Sequence, residues 1–494
     1  MMKNRNWLMR GMLAVLCAVM LMSMMPAFSE GTEFTSGDLI EYAERAFLAW
    51  QEEARSDPER LREVTPEMVK APMIDPETWG PMDFEIQACT IRMNGREMHY
   101  TLEIIGEPDE NGLYPLYITL HGGGEGSAEG NNEQWLAMSQ YYRRSVENGI
   151  YVACRGMEDV WNLHFLDETY PMYDRLIEDM ILLKQADPNR VYLLGFSAGG
   201  DGVYAVAPRM ADRFAAVNMS SGHPNSVSLL NTSNLPFEIQ VGIRDYYSED
   251  AMRSIRGAEF EKTLNGYREE YGFGYPHRVL VHVPNGHNYV DYEDEDACVL
   301  NDPAAFAERA VRENWLETFM ALFTAMGGPD SVAYLSYMSD DEFNEALLHL
   351  VTEDLGMEVS LENANAVTYV SSFAREPAPA QLVWDLSTRA PSRKDTAFYW
   401  LRADPSVSRG VITAWYDPDA NAVLIHREGA VNGDVSVLVN PFLMDVSRPL
   451  TVITESGEHT VDIVPDLEML EKSILETGDL FLCWAAKIPL SSLQ

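Results

Sequence analysis

The stretch that most constrains this chain runs from Val191 to Gly200, Val-Tyr-Leu-Leu-Gly-Phe-Ser-Ala-Gly-Gly. Four residues suited to a buried strand (191–194) run straight into Gly195-Phe196-Ser197-Ala198-Gly199, and Val203 to Met210 can continue as a helix. A serine at so abrupt a strand-to-helix turn takes a strained backbone conformation, and side chains two positions to either side would collide. Gly195 and Gly199 remove those side chains, so the Ser197 hydroxyl can project from the sheet edge. The helix that follows aims its first N–H groups at the same spot, which favours a developing negative charge. Ser197 is thereby a candidate nucleophile and the Ala198 N–H a candidate donor. A bare G-x-S-x-G also occurs as a plain glycine turn; the strand before it and the helix after it set this one apart.

A serine hydroxyl needs a base, and the base needs an orienting carboxylate. The segments around the turn supply an order for them. Leu116 to Leu120 reads as a strand running into His121-Gly122-Gly123-Gly124, where bare backbone N–H groups can approach an anionic oxygen. Ile150 to Ala153 is a second buried strand, and Trp161-Asn162-Leu163-His164 sits in the loop after it, placing Trp161 at the ligand-binding edge of the sheet. Tyr170 to Ala186 has amphipathic helical spacing, and Asp187-Pro188-Asn189-Arg190 turns that helix into the Val191 strand. Strand, helix and strand in alternation imply an α/β fold with a parallel sheet. Past the Phe237–Ile243 strand comes Asp245, with Asp201, Glu249 and Asp250 as competing carboxylates; Asp201 suits a helix N-terminus better. Past the His277–Val283 strand comes Gly286-His287. His287, in a glycine loop, suits the base better than His282 inside the strand. Separations of 48 and 42 residues along Ser197, Asp245 and His287 leave room for one α/β excursion each.

With these residues in place, residues 84–320 resemble the α/β-hydrolase superfamily, nearest to secreted polyhydroxybutyrate-depolymerase-like and feruloyl-esterase-like carboxylesterases. The matching stretches are the 121–124 run, residues 161–164, 187–192, Gly195 to Gly202, Gly242-Ile243-Arg244-Asp245 and Gly286-His287. The resemblance implies Ser197 as nucleophile, His287 as base and Asp245 as orienting acid. It places the oxyanion donors at the N–H groups of Ala198 and of a glycine among Gly122, Gly123 and Gly124, with Gly123 preferred and His121 and Trp161 alongside. One departure is that Asn288-Tyr289 fills the place where the family often has an aromatic soon after the histidine.

The chain opens with Lys3, Arg5 and Arg10, then an apolar run from Met12 to Met25 and Pro26-Ala27-Phe28-Ser29. This reads as a secretory signal over residues 1–29, short for a membrane span, with an uncleaved anchor as the alternative. The expectation is an exported, soluble protein. A net charge of −41 argues against nucleic acid and anionic membranes as partners. Cys89, Cys154, Cys298 and Cys483 show no metal-ligand spacing, so no zinc site is implied, while export permits one or two disulfides; the serine chemistry expected implies no metal or organic cofactor.

Residues 30–80 read as a helical lead-in, with Leu39, Ala43, Phe47 and Trp50 on one face of a helix from Leu39 to Arg55. The catalytic unit spans 81–330 and begins with a hairpin, Phe84 to Met93 and Met98 to Ile105, turned at Asn94-Gly95. Residues 331–380 read as a helical connector, capped by Ser339-Asp340-Asp341-Glu342, and a linker at Ala374 to Ala380. Short alternating strands over 381–494 read as an all-β accessory sandwich in which Trp400, Trp415 and Tyr416 either fill the core or stack on sugar rings. The function expected is ester hydrolysis through an acyl-enzyme, on a small-molecule or polymer-linked ester such as a plant polysaccharide ester. The alternatives are a prolyl-oligopeptidase-like peptidase and a catalytically silent polysaccharide-binding protein.

Overall fold

Asn94 and Gly95 both take positive φ (53° and 77°), the backbone of a tight hairpin turn, and Met93 pairs with Arg96 across it. The computed structural model describes residues 34–493 apart from 76, 79, 224–225, 246–252, 316, 318–340, 391, 394–396 and 430–432. The expected signal segment therefore lies outside the described residues, as do residues 339–340 of the expected capping box. Two helices lead in, α1 (Ser36–Ala54) and α2 (Pro58–Glu63). Thr35 caps α1 in a reciprocal box with Asp38.

Eleven strands then form one mixed sheet. They are β1 (Glu67–Ile74), β2 (Pro81–Met93), β3 (Arg96–Ile105), β4 (Tyr114–Leu120), β5 (Gly149–Cys154), β6 (Ala186–Phe196), β7 (Ala216–Ser220), β8 (Phe237–Gly242), β9 (His277–His282), β10 (Asp296–Leu300) and β11 (Val359–Asn363). Their spatial order is β1-β2-β3-β5-β4-β6-β7-β8-β9-β10-β11. The six from β5 to β9 in that order are mutually parallel, and the flanking strands are antiparallel. Covered on both faces, as parallel strands usually are, β5, β7 and β8 are buried at every residue, and the polar side chains among them, Asn218, Ser220, Glu238 and Gln240, are buried too. Four helices connect them: α3 (Ala128–Met138), α4 (Thr169–Lys184), α5 (Ala198–Val206) and α6 (Arg253–Tyr271).

The structure corrects several local expectations. Helix α4 ends at Gln185 in the left-handed conformation (φ 63°), so the chain turns there rather than at Asp187–Arg190. Those residues belong to β6 but bulge out of it, because the pairing with β4 jumps from Tyr114↔Ala186 to Leu116↔Val191. Helix α5 stops at Val206, and a 3₁₀ turn over Ala207–Arg209 follows. All four described cysteines are free thiols. Cys89 and Cys154 both face Tyr100 in register, on the strands either side of β3. Two strand spacings, about 9–10 Å, exceed the ~7 Å within which a disulfide can close.

The C-terminal strands form two further sheets. One has β12 (Gln381–Asp385), β15 (Val411–Asp417), β16 (Ala422–Glu428), β18 (Leu450–Thr454) and β19 (Gly457–Val461); the other has β13 (Ala397–Phe398), β14 (Leu401–Ala403), β17 (Val435–Val439) and β20 (Ala486–Pro489). Many of the buried side chains here, Leu382, Trp384 and Val437 on the strands and Trp400 in the turn between β13 and β14, belong to the same apolar cluster as Leu120, Leu193 and Val217 of the large sheet. The expected linker is no loose tether either. Arg375 is buried, donating to the Asp212 carbonyl at 2.7 Å and to Asp479 at 2.6 Å. Trp400 and Tyr416 are core residues, whereas Trp415 is 52% exposed. Among the described residues, no helix is long and apolar enough to cross a membrane.

Candidate active site

Ser197 sits between β6 and α5 with φ 58° and ψ −120°, a conformation that costs a non-glycine residue on the order of 1–3 kcal/mol. The turn around it is tight. A Cβ at Gly199 would lie 2.0 Å from the Leu120 carbonyl oxygen, and one at Gly195 would lie 2.2 Å from the Gly199 carbonyl oxygen. The Ser197 N–H donates to the Ser220 carbonyl at 2.9 Å, which ties the turn to the end of β7.

The loops after β8 and β9 meet at this same edge, again by backbone contact. A Cβ at Gly242 would lie 1.9 Å from the Gly286 carbonyl oxygen. The Arg244 N–H donates to the Asn285 carbonyl at 3.0 Å. This seam brings Asp245 and His287 together: His287 Nδ1 is 2.9 Å from Asp245 Oδ2, and His287 Nε2 is 2.9 Å from Ser197 Oγ. The neutral ring donates from Nδ1 to the carboxylate, which leaves Nε2 to accept from the serine hydroxyl. Asp245 is 3% exposed, its Oδ1 lies 3.5 Å from Arg253 Nη1, and the Ser221 hydroxyl holds the His287 carbonyl at 2.7 Å.

The competing residues fall elsewhere. His282 lies inside the sheet, bonded to Gln240 and stacked on Tyr289, and burial pushes its pKa down to about 3. Asp201 accepts the His223 N–H, and burial pushes its carboxyl up to about 7, with Asp245 adding to the rise and Arg253 and His287 opposing it. Residues 249 and 250 lie outside the described residues. Tyr289 is structural: its hydroxyl donates to the Gln240 carbonyl at 2.7 Å and accepts the Ser221 N–H at 2.9 Å.

The glycine run after β4 lines the other side. A Cβ at Gly122 would contact Ser197 Cβ at 3.4 Å, and one at Gly124 would contact Ala198 Cβ at 3.6 Å. Gly123 and Gly124 take φ of 100° and 118°. The Gly124 N–H is already given to Asn131 Oδ1 at 3.0 Å, which leaves the N–H groups of Gly122 and Gly123 as the candidate donors from this run. The Ala198 N–H opens α5 and so has no acceptor within its own helix. His121 does not reach a ligand through its side chain. The ring is fully buried, donating from Nδ1 to the Gly122 carbonyl at 2.5 Å and accepting the Gly156 N–H at Nε2 at 3.0 Å. Burial and the nearby His164 and Arg155 hold it neutral. Trp161 is 57% exposed, its backbone beside Gly124 and its ring edge-on to Phe165 at 5.2 Å.

Sequence reading missed the polar frame behind the glycine run: Asn131 and Asn132 one turn into α3, and Arg155 and Asp159 after β5. Their only sequence signal is a pair of amides just past a glycine loop. Among the described residues no cluster of His, Cys, Asp or Glu could hold a metal ion.

No family model matches the chain. A probable feruloyl esterase C of Aspergillus niger is 30% identical over 135 residues, 26% of this chain and 48% of the relative. Its counterpart in Aspergillus terreus is 32% identical over 134 residues, 26% of this chain and 47% of that one. Over those residues the chain resembles a feruloyl esterase. The match spans about half the length of these curated relatives. Solved structures similar in part include a thermostable esterase (18% identity, TM-score 0.31, covering 50% of this chain and 70% of that one). A puromycin-hydrolyzing peptidase of Mycobacterium tuberculosis aligns at 13% identity and a TM-score of 0.32, over 51% of this chain and 45% of its own.

Proposed function

We propose that this protein is an exported serine ester hydrolase that works through an acyl-enzyme on Ser197. The observation that carries the reading is the pair of 2.9 Å contacts joining Ser197 Oγ, His287 and Asp245 on a strained turn. His287 Nε2 takes the hydroxyl proton as Oγ attacks the ester carbonyl, and Asp245 holds the ring in the tautomer that can accept it. The N–H groups of Ala198 and Gly123 receive the oxyanion. His287 returns the proton to the departing alcohol, a water attacks the acyl-enzyme by the same route, and the carboxylic acid leaves. The resemblance to feruloyl esterases favours an ester over a peptide bond. It also favours an aromatic acid esterified to a small alcohol or to a plant polysaccharide as the substrate.

The test is to treat the purified protein with a fluorophosphonate and map the adduct by peptide mass spectrometry, then to assay aryl acetates and methyl ferulate beside a peptide anilide. An adduct on Ser197 with ester turnover that Ser197→Ala lowers by roughly 10⁴–10⁶-fold is the expected result. Turnover of the anilide alone would move the assignment to a peptidase. Folded protein with no adduct and no turnover would overturn the reading.

A further inference from the structure

We infer that Asn131 is a positioning residue that fixes the oxyanion loop, and that Asp159 sets which way its carboxamide faces. This rests on the reading of Ser197 as the nucleophile. Asn131 is 2% exposed and stands one turn into α3. Its side chain grips both polar groups of one residue: Oδ1 accepts the Gly124 N–H at 3.0 Å, and Nδ2 donates to the Gly124 carbonyl at 2.9 Å. The same Oδ1 would lie 2.2 Å from a Cβ at Gly123, so the carboxamide also lies flat against the residue proposed to donate to the oxyanion. One side chain thus fixes two consecutive residues in positive-φ conformations, which an unsupported glycine loop would leave in exchange with others.

The grip works in one orientation only. With the carboxamide turned over, its NH₂ would face the Gly124 N–H and its oxygen the Gly124 carbonyl. The second Nδ2 proton goes to Asp159 Oδ1 at 2.9 Å. A carboxylate can only accept, so it enforces the productive orientation. Asp159 is itself held by Arg155, whose Nη2 bonds the same oxygen while Nε donates to Asn132 at 2.8 Å and Nη1 to the Gly156 carbonyl at 2.7 Å. None of these groups reaches Ser197 or His287, so their effect falls on the oxyanion rather than on the proton relay. The Gly124 N–H, occupied by Asn131, takes no part in the oxyanion site.

The test is a comparison of Asn131→Ala and Asn131→Asp with the wild type, reading kcat and KM for an aryl ester, the pH profile of kcat/KM and inhibition by phenylboronic acid. The boronate adduct on Ser197 is tetrahedral and anionic, so it probes the donors directly. Asn131→Ala should lower kcat about 10²-fold, the scale of losing one oxyanion donor. KM and the pH profile should stay in place while the boronate inhibition constant rises in step with the loss. Asn131→Asp, of the same shape but with an oxygen facing both the Gly124 carbonyl and Asp159, should do no better than Ala. Asp159→Asn keeps an oxygen for the Nδ2 proton but loses the charge, and should give a smaller loss, about 10-fold, in the same readouts. It serves if either Asn131 variant fails to fold. Wild-type kcat in folded Asn131→Ala or Asn131→Asp, or a lowered kcat with unchanged boronate affinity, overturns the inference. A wild type that turns over no ester and binds no boronate fails the functional reading beneath it, a distinguishable result.

Discussion

Gly199→Ala tests most directly whether backbone crowding builds this site. The added methyl carbon would lie 2.0 Å from the Leu120 carbonyl oxygen and 3.0 Å from that of His121, where ordinary contact begins at 3.4 Å. Leu120 cannot give way easily. It ends β4 in the middle of the sheet, in register with Cys154 on one side and Gly195 on the other. The strain therefore falls on the turn, which must lift Ser197 by an amount on the order of 1 Å away from the 121–124 run. A misplacement of that size costs about 10²-fold in rate, and overpacking at a rigid site costs about 1–3 kcal/mol. The assay is the second-order rate of fluorophosphonate labelling at Ser197, with the urea midpoint measured on the same sample. Gly266→Ala is the control. It sits inside α6 with nothing within 4 Å of the new atom, so it should label normally and gain up to ~1 kcal/mol from helix propensity. Labelling of Gly199→Ala at the wild-type rate would refute the steric account. A drop in stability with unchanged labelling would mean that the turn relaxes without moving the hydroxyl.

Two further outcomes follow from burial. Because burial raises the Asp201 carboxyl to about 7 from an ordinary 3.8, the folded chain keeps a proton that the unfolded chain has lost between about pH 4 and 7. This group's share of stability therefore falls as pH rises through that window. Asp201→Asn keeps an oxygen for the His223 N–H and never ionises, so its thermal midpoint should match the wild type near pH 4 and exceed it at pH 8; a lower midpoint at pH 8 would show that the charge stabilises the start of α5 after all. In the C-terminal sheets, Trp400 is fully buried with its indole N–H on the Pro379 carbonyl at 2.7 Å, so Trp400→Ala should cost about 3–5 kcal/mol in urea unfolding. Trp415→Ala, at a half-exposed position, should cost under ~1 kcal/mol, and the reverse ranking would refute the placement of the two indoles.

What was legible in the sequence was steric. Gly195, Gly199, Gly242 and Gly286 mark places where one backbone meets another, and such places accept few other residues, so they stand out as motifs at fixed offsets from strands. The order of Ser197, Asp245 and His287 along the chain then follows from the order of strands that end at one edge. The extent of helix α5 and the bulge at 187–190 were less legible, because both depend on how β4 and α4 pack against them rather than on local propensity. The Asn131–Asp159–Arg155 frame had no motif at all. Hydrogen bonds at separations of 4, 7, 23 and 28 residues leave no periodic trace, and an Asn-Asn pair near a helix's start looks the same whether it caps, floats or holds a loop. The three aromatics singled out in the C-terminal region show the same limit. Alternation puts Trp415 and Tyr416 on opposite faces of β15, but only the packing of the two sheets decides which face is inside.

The same division explains why the site needs two kinds of support. Close backbone contact fixes where Ser197 can be, Gly199 against Leu120 and Gly242 against Gly286, with Gly122 in ordinary contact with the Ser197 side chain. It fixes position by exclusion, though, and exclusion alone leaves a glycine free to turn its N–H away from the reacting oxygen. Orientation has to come from groups that attract. Beside the proposed nucleophile these are Asp245, which bonds His287 Nδ1, and Ser221, which holds the His287 carbonyl. Beside the proposed oxyanion donors they are Asn131, which bonds Gly124 at both ends, and Asp159, which bonds Asn131. On the proposed reading each half has a carboxylate that acts by choosing between two states of a neighbouring side chain, a tautomer in one and an amide rotamer in the other. Asp245→Asn and Asp159→Asn should therefore separate cleanly: the first shifts the pH profile of kcat/KM, and the second leaves that profile in place while weakening the boronate.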